Sequence, residues 1–170
     1  MRKLFTSLAI CLTVAVSSLS GQVKNAGCYL RMVTPANDEL CLENEQVRID
    51  FEFNSANYFV DVTIRNKTDG VLTVDWDRFT VVIEEEADGI VFDDTVMLAK
   101  DAPKGAATLV PGSKVTKAVA SKEHIELDMA YYTKGWVKKR GTQIIGFLIP
   151  VTNEAGETTN YKCEISVSLQ

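Results

Sequence analysis

The sequence predicts an all-β protein, with two antiparallel sheets packed face to face behind a leader that is removed on export. Three observations lead there. Short runs alternate apolar and polar side chains with a period of two, turn residues separate those runs, and no stretch sustains a helical period. Together they imply about eight short strands in one domain.

The elements follow in order. From Gln46, the side chains of Val47, Ile49, Phe51 and Phe53 fall on one side and Arg48, Asp50 and Glu52 on the other, a strand with one dry face. A turn is expected at Asn54 to Asn57, followed by FVDVTIRN, in which Val60, Val62 and Ile64 share a face. Asn66 to Gly70 then reads as the turn of a hairpin whose second strand carries Leu72, Val74 and Trp76 inward. Phe79, Val81 and Ile83 mark the next strand, which ends in Glu84, Glu85 and Glu86, and Asp88-Gly89 turns into IVFDDTVMLA. Lys100 to Lys114, with Pro103, Gly105, Pro111 and Gly112, reads as an irregular crossing loop. Val115 to Val119 suits an edge strand, and Ile125, Leu127, Met129 and Tyr131 recur at strand period. TQIIGFLIPV looks like a nearly fully buried strand. A turn at Asn153 to Gly156 then leads into YKCEISVSL, which points Tyr161, Cys163, Ile165 and Val167 into the core.

The first residues bound the compartment. Arg2 and Lys3 precede a largely apolar run from Leu4 to Val16 and then small residues, the layout of a secretory signal peptide cut after Ser20 or Gly21. The run is shorter than the roughly 20 residues that span hydrocarbon, so no transmembrane helix is expected in the mature chain. The expected division is residues 1–21 as signal peptide, 22–45 as an N-terminal segment bearing cysteines, and 46–170 as the β-sandwich. The destination would be periplasmic, outer-membrane-associated or secreted. With 23 acidic against 18 basic residues the chain is mildly negative, which argues against a nucleic-acid surface.

Cys28, Cys41 and Cys163 survive cleavage, and an oxidising compartment favours one disulfide, Cys41 with Cys163 or Cys28 with Cys163. Cys28 follows Ala26 and Gly27 and is also a candidate for lipidation, although Asn25 and the polar Gln22 and Lys24 depart from the usual lipoprotein context.

Candidate chemistry is sparse. His124 is the sole histidine, which removes sites needing two imidazoles. Asp75 and Asp77 flank Trp76 and would share a strand face. The acidic group Glu84, Glu85, Glu86, Asp88, Asp93 and Asp94 could hold a hard cation, yet it lacks the spacing of a calcium loop and reads better as a solvated edge. Asn66-Lys67-Thr68 matches an N-glycosylation sequon, and Asp94-Thr95-Val96 fits an O-glycosylation pattern with Thr95 as acceptor. Tyr131, Tyr132, Lys134, Trp136, Lys138, Lys139 and Arg140 form the one basic, aromatic stretch, read either as an interaction loop or as a hairpin with a solvated basic turn. No nucleophile elbow, phosphate-cradling loop, dinucleotide fingerprint or CxxC occurs, so neither a catalytic residue nor a cofactor is expected.

"VTIRNKTDGVLTVDWD", "LVPGSK" and "FLIPVTNEAGETTNYKCEISV" together resemble small exported β-sandwich proteins and lipoproteins of Gram-negative anaerobes, most of unassigned function. The resemblance runs from about Gln46 to the C-terminus through Asn66, Lys67, Thr68, Asp75, Trp76, Pro111, Gly112, Pro150 and Tyr161. It implies an immunoglobulin-like sandwich and brings no catalytic residue with it. A looser similarity of layout links the chain to exported immunoglobulin-like modules and to a bacterial proteinase-inhibitor domain. The expectation is an exported, non-enzymatic interaction or structural module of a bacterial envelope, with an unnamed protein or glycan partner. The alternatives are a proteinase-inhibitor-like or ligand-binding domain presenting Lys134 to Arg140 or Asp101 to Pro111, and, further off, a metal-dependent hydrolase built on Asp75, Asp77 and the acidic group.

Overall fold

The computed structural model describes residues 23–25, 27–37, 39–53, 59–95, 99–126 and 132–169. Among them are twelve strands, all paired antiparallel: β1 (Val23–Asn25), β2 (Cys28–Thr34), β3 (Cys41–Glu43), β4 (Val47–Phe53), β5 (Val60–Asn66), β6 (Leu72–Asp75), β7 (Thr80–Ile83), β8 (Glu86–Phe92), β9 (Ala106–Leu109), β10 (Lys114–Ser121), β11 (Gln143–Asn153) and β12 (Thr158–Ser168). Two short helices, α1 (Lys122–Glu126) and α2 (Lys134–Arg140), complete the list. No helix among the described residues is long and apolar enough to cross a membrane.

Hydrogen bonding follows one path, β1-β2-β12-β11-β7-β8-β10-β5-β4-β3, which curls until it is nearly closed into a barrel. β8 carries the path around its bend. Thr80 to Ile83 of β7 pair with its first half, Glu86 to Gly89, while Ile90 to Phe92 pair with β10. Its side chains change with its role, exposed at Glu86 and buried from Ile90 onward. A strand that serves two partners in succession turns a sheet corner without leaving an edge.

The inward alternation holds as expected in β4, β5 and β12. The core is aromatic at its centre. Phe147 lies 4.8 Å from Phe51 and 6.4 Å from Phe79, and Trp76 stacks on Phe79 at 5.7 Å and meets Phe92 edge-on at 5.6 Å. Offset and edge-on ring pairs of this kind add to the area they bury.

Several expectations are corrected. There are twelve strands rather than about eight. β1, β2 and β3 come from the segment expected to stand ahead of the domain, yet β2 is paired along β12 and β3 along β4, so that segment is part of the sheet. β9 and a turn occupy the expected crossing loop. Val110 to Ser113 close through a 3.0 Å backbone hydrogen bond, with Pro111 second and Gly112 third at φ 74°, the position where a type II turn requires glycine. Residues 122–126 are helical where a strand was expected, and residues 127–131 lie outside the described set, as does the expected turn at Asn54 to Asn57.

The Asn66 hairpin is also corrected. β5 pairs β4 and β10, whereas β6 pairs β11 and β9, so the turn crosses between two parts of the sheet. Asn66, wholly buried, explains why. Its Nδ2 donates to Gly70 O at 2.7 Å and to Leu109 O at 2.9 Å, and its Oδ1 accepts from Thr68 N and Oγ1, both at 2.8 Å. One side chain thus ties the crossing to the end of β9. The same burial removes Asn66 from reach as a glycosylation acceptor in the folded state.

Candidate functional site

β11 is apolar on both faces. Ile145, Phe147, Ile149 and Val151 point into the core, which leaves Ile144, Gly146 and Leu148 on the outer face. TQIIGFLIPV was expected to be nearly fully buried, yet Ile144 is 45% exposed and Leu148 37%. Gly146 sits between them with the smallest possible side chain, opposite Val82 on β7 and Glu164 on β12. A Cβ added there would lie 3.1 Å from Val82 Cβ, tighter than ordinary packing. Around this notch lies a trough of about 480 Å³ lined by Ile144, Leu148, Val82 and, from β2, Val33.

Three charged groups edge it: Glu85, Lys162 and Glu164. Lys162 Nζ lies 2.6 Å from Glu164 Oε1, and Thr34 Oγ1 donates to the other carboxylate oxygen at 2.6 Å. The Lys162 contact, then the Thr34 hydroxyl, hold the Glu164 carboxyl below its ordinary pKa. Glu85 stands at the other end, in the two-residue turn that joins β7 to β8. Both turn residues have positive φ, 52° at Glu84 and 70° at Glu85, where glycine or asparagine is usual. Glu84 is anchored by Arg140, whose Nε lies 2.6 Å from its Oε1.

Arg140 belongs to the stretch expected to be an interaction loop or the turn of a hairpin; the structure makes that stretch helix α2. Thr133 caps it by accepting from Trp136 N, and Gly141, at φ 80°, ends it. Tyr131 lies outside the described residues, and the other six candidates divide. Tyr132 and Trp136 are core residues, 1% and 7% exposed. Tyr132 donates to Phe59 O and meets the Phe53 ring edge-on at 5.2 Å. Lys134, Lys138, Lys139 and Arg140 are exposed, and the Arg140 guanidinium lies 3.7 Å over the Trp136 ring. α2 thus braces the β7–β8 turn beside the trough.

The remaining candidates are structural where the fold places them. Asp77 accepts from the backbone N–H of Lys104 at 2.7 Å and of Gly105 at 2.9 Å, and the Lys104 hydrogen bond is the first cause of its lowered pKa. Asp75 Oδ1 accepts from Asp77 N. The pair fastens the start of the Asp101 to Pro111 stretch instead of facing a cleft together. Asp88 accepts from Ser121 Oγ and from Glu123 N, tying β8 to α1. Among the described residues no three His, Cys, Asp or Glu side chains converge as metal ligands, so the acidic group is spread out rather than gathered. Thr95 is partly exposed, and its Oγ1 accepts from Phe92 N at 3.3 Å. His124 lies in α1.

Cys28, Cys41 and Cys163 are all free thiols and all buried, which corrects the expected disulfide. Cys41 stands opposite Asp50, and its thiol donates to Glu39 Oε2 at 3.4 Å, although it lies near enough to Cys163 to help raise the pKa of that thiol. Cys28 adjoins the Ser168 end of β12, five residues from Cys163, which at strand spacing is roughly 17 Å, far beyond the reach of a disulfide. Cys28, the lipidation candidate, is wholly buried in the core cluster, so an acyl thioether there would require that thiol to leave the core.

Sequence reading missed the trough because it took an all-apolar strand as buried on both faces. The available signal was Gly146 midway between two large aliphatic residues of the same parity. No family model, curated protein or solved structure matches the chain.

Proposed function

We propose that the chain is an exported, non-enzymatic β-sandwich, immunoglobulin-like in layout, that serves as an interaction or structural module of a bacterial envelope and meets its partner through the outer face of β11. The uncovered pair Ile144 and Leu148 on either side of the Gly146 notch carries this reading. Solvent-facing positions in the middle of a sheet are normally polar, and apolar side chains left there in a row mark contact surfaces. The signal-peptide layout of residues 1–21 supports export, and the barrel-like path bent through β8 is compatible with a flattened, two-layered sandwich.

The test is cross-linking in the producing cell, with a photoreactive phenylalanine analogue at position 148 and, in parallel, at position 52 on the outer face of β4. A discrete adduct from 148 alone, lost when Ile144→Asp is added, is the expected result. Equal adducts from both positions, or none from 148, would overturn the assignment of the face. A hydrolytic activity that disappears on changing one residue would overturn the non-enzymatic part.

A further inference from the structure

The charges around the trough narrow the chemistry of its occupant. Lys162 and Glu164 neutralise each other, and both Glu164 oxygens are already engaged, one by Lys162 and one by Thr34. Glu85 is exposed and has no ion-pair partner among the described residues, because Arg140 binds its neighbour Glu84. The register sets the order. Val82 lies opposite Gly146 and Ile83 opposite Ile145, so the turn that follows puts Glu85 at the Ile144 end, while Lys162 lies opposite Leu148 at the far end. The trough is therefore an apolar slot with one uncompensated negative charge at a defined end.

We infer that the slot accepts a short apolar segment of another polypeptide that carries a lysine or arginine at one end, with the cation beside Glu85 and the apolar side chains between Ile144 and Leu148. This rests on the proposed use of the β11 face and adds the chemistry of the partner. The floor from Ile144 to Leu148 spans four residues, about 13 Å at strand spacing, so four or five extended residues fill it. A second copy of the chain fits poorly, because the chain is net acidic, −5 over the full sequence and more so without Arg2 and Lys3 of the leader, and would meet an acidic rim. An anionic lipid surface meets the same repulsion.

The test titrates the purified, isotope-labelled protein with three capped pentapeptides, Lys-Ser-Leu-Ser-Leu, which puts Lys and both Leu on one face, and the versions beginning with Gln or Glu, following the Gly146 and Val82 amide resonances. The lysine peptide is expected to bind about fivefold or more tightly than the glutamate peptide, the scale of one exposed charge pair in each direction. Glu85→Lys should invert that order, and Ile144→Asp should abolish binding of all three. Equal binding of the three peptides, lost in Ile144→Asp, would overturn the charge inference and leave the face assignment standing. Absence of any shift in β7, β11 or β12 at millimolar peptide would overturn the inference, with position 148 cross-linking judging the face separately. A concentration-dependent dimer that Ile144→Asp dissociates would also overturn it, since a second copy would then occupy the slot.

Discussion

The outer face of β4 and the outer face of β11 solve the same problem in opposite ways. On β4, Arg48 reaches Glu39 at 3.1 Å, Glu43 at 2.7 Å and Asp50 at 2.7 Å, and Lys67 joins Glu43 at 2.6 Å, so the surface consumes its own charges. On β11, aliphatic side chains stand in water with a notch between them. A sheet face needs polar groups mainly for solubility, and this one leaves Ile144 and Leu148 exposed instead. The inner faces of the two strands, by contrast, are joined through Phe51 and Phe147.

This comparison can be broken or sharpened by substitution. The largest effect belongs to the inner side of β11. Phe147→Ala removes the ring that bridges Phe51 and Phe79 and should cost about 3–5 kcal/mol, measured by denaturant unfolding. Asn66→Ala strips both carbonyl partners and the Thr68 contacts at the β5–β6 crossing and should cost about 1–3 kcal/mol in the same assay.

Alkali tests the buried thiols. Burial pushes Cys163 up to about 12 from an ordinary 9.0, so the fold favours its protonated form. That stabilisation is complete below pH 9 and is lost as pH rises from 9 towards 12, with roughly 1 kcal/mol gone by pH 10. A falling Tm above pH 9 that Cys163→Ala flattens is the expected signature. At the acid end, Asp77 and Glu43 are held below the ordinary carboxylate range by Lys104 and Lys67 respectively, so their contribution is present above about pH 4 and fades as pH falls through the lowered values.

Smaller still, Arg48→Ala should cost no more than about 1 kcal/mol, and less in high salt, because the network is partly exposed. The smallest effect is on the outer side of β11, where Ile144→Thr should leave stability within about 0.5 kcal/mol of wild type. A large loss there would mean that Ile144 serves the fold and would remove the contrast between the two faces.

The inward faces of β4, β5 and β12 were legible because alternation records which side of a strand is dry. The partner of β6 was not legible. A turn signal such as Asn-Lys-Thr-Asp-Gly fixes local backbone, but it cannot say whether the next strand folds back or crosses over, and Asn66 decides that through Leu109, 43 residues away. α2 escaped detection because about two turns carrying two adjacent buried residues, Trp136 and Val137, are too short to show a period. That Cys41 stands opposite Asp50 was hidden in the register of a three-residue strand. The trough was half legible: the apolar run was visible, but which of its faces would be covered depends on neighbours distant in sequence.

β2 adds a constraint of order in time. Its sheet neighbours are the tiny β1 and β12, the last of the described strands, with Arg31 paired to Ser166. Its one long neighbour therefore lies 135 residues further along the sequence. Closing so long a loop costs chain entropy before the pairing repays it, which slows folding relative to strands joined by a hairpin.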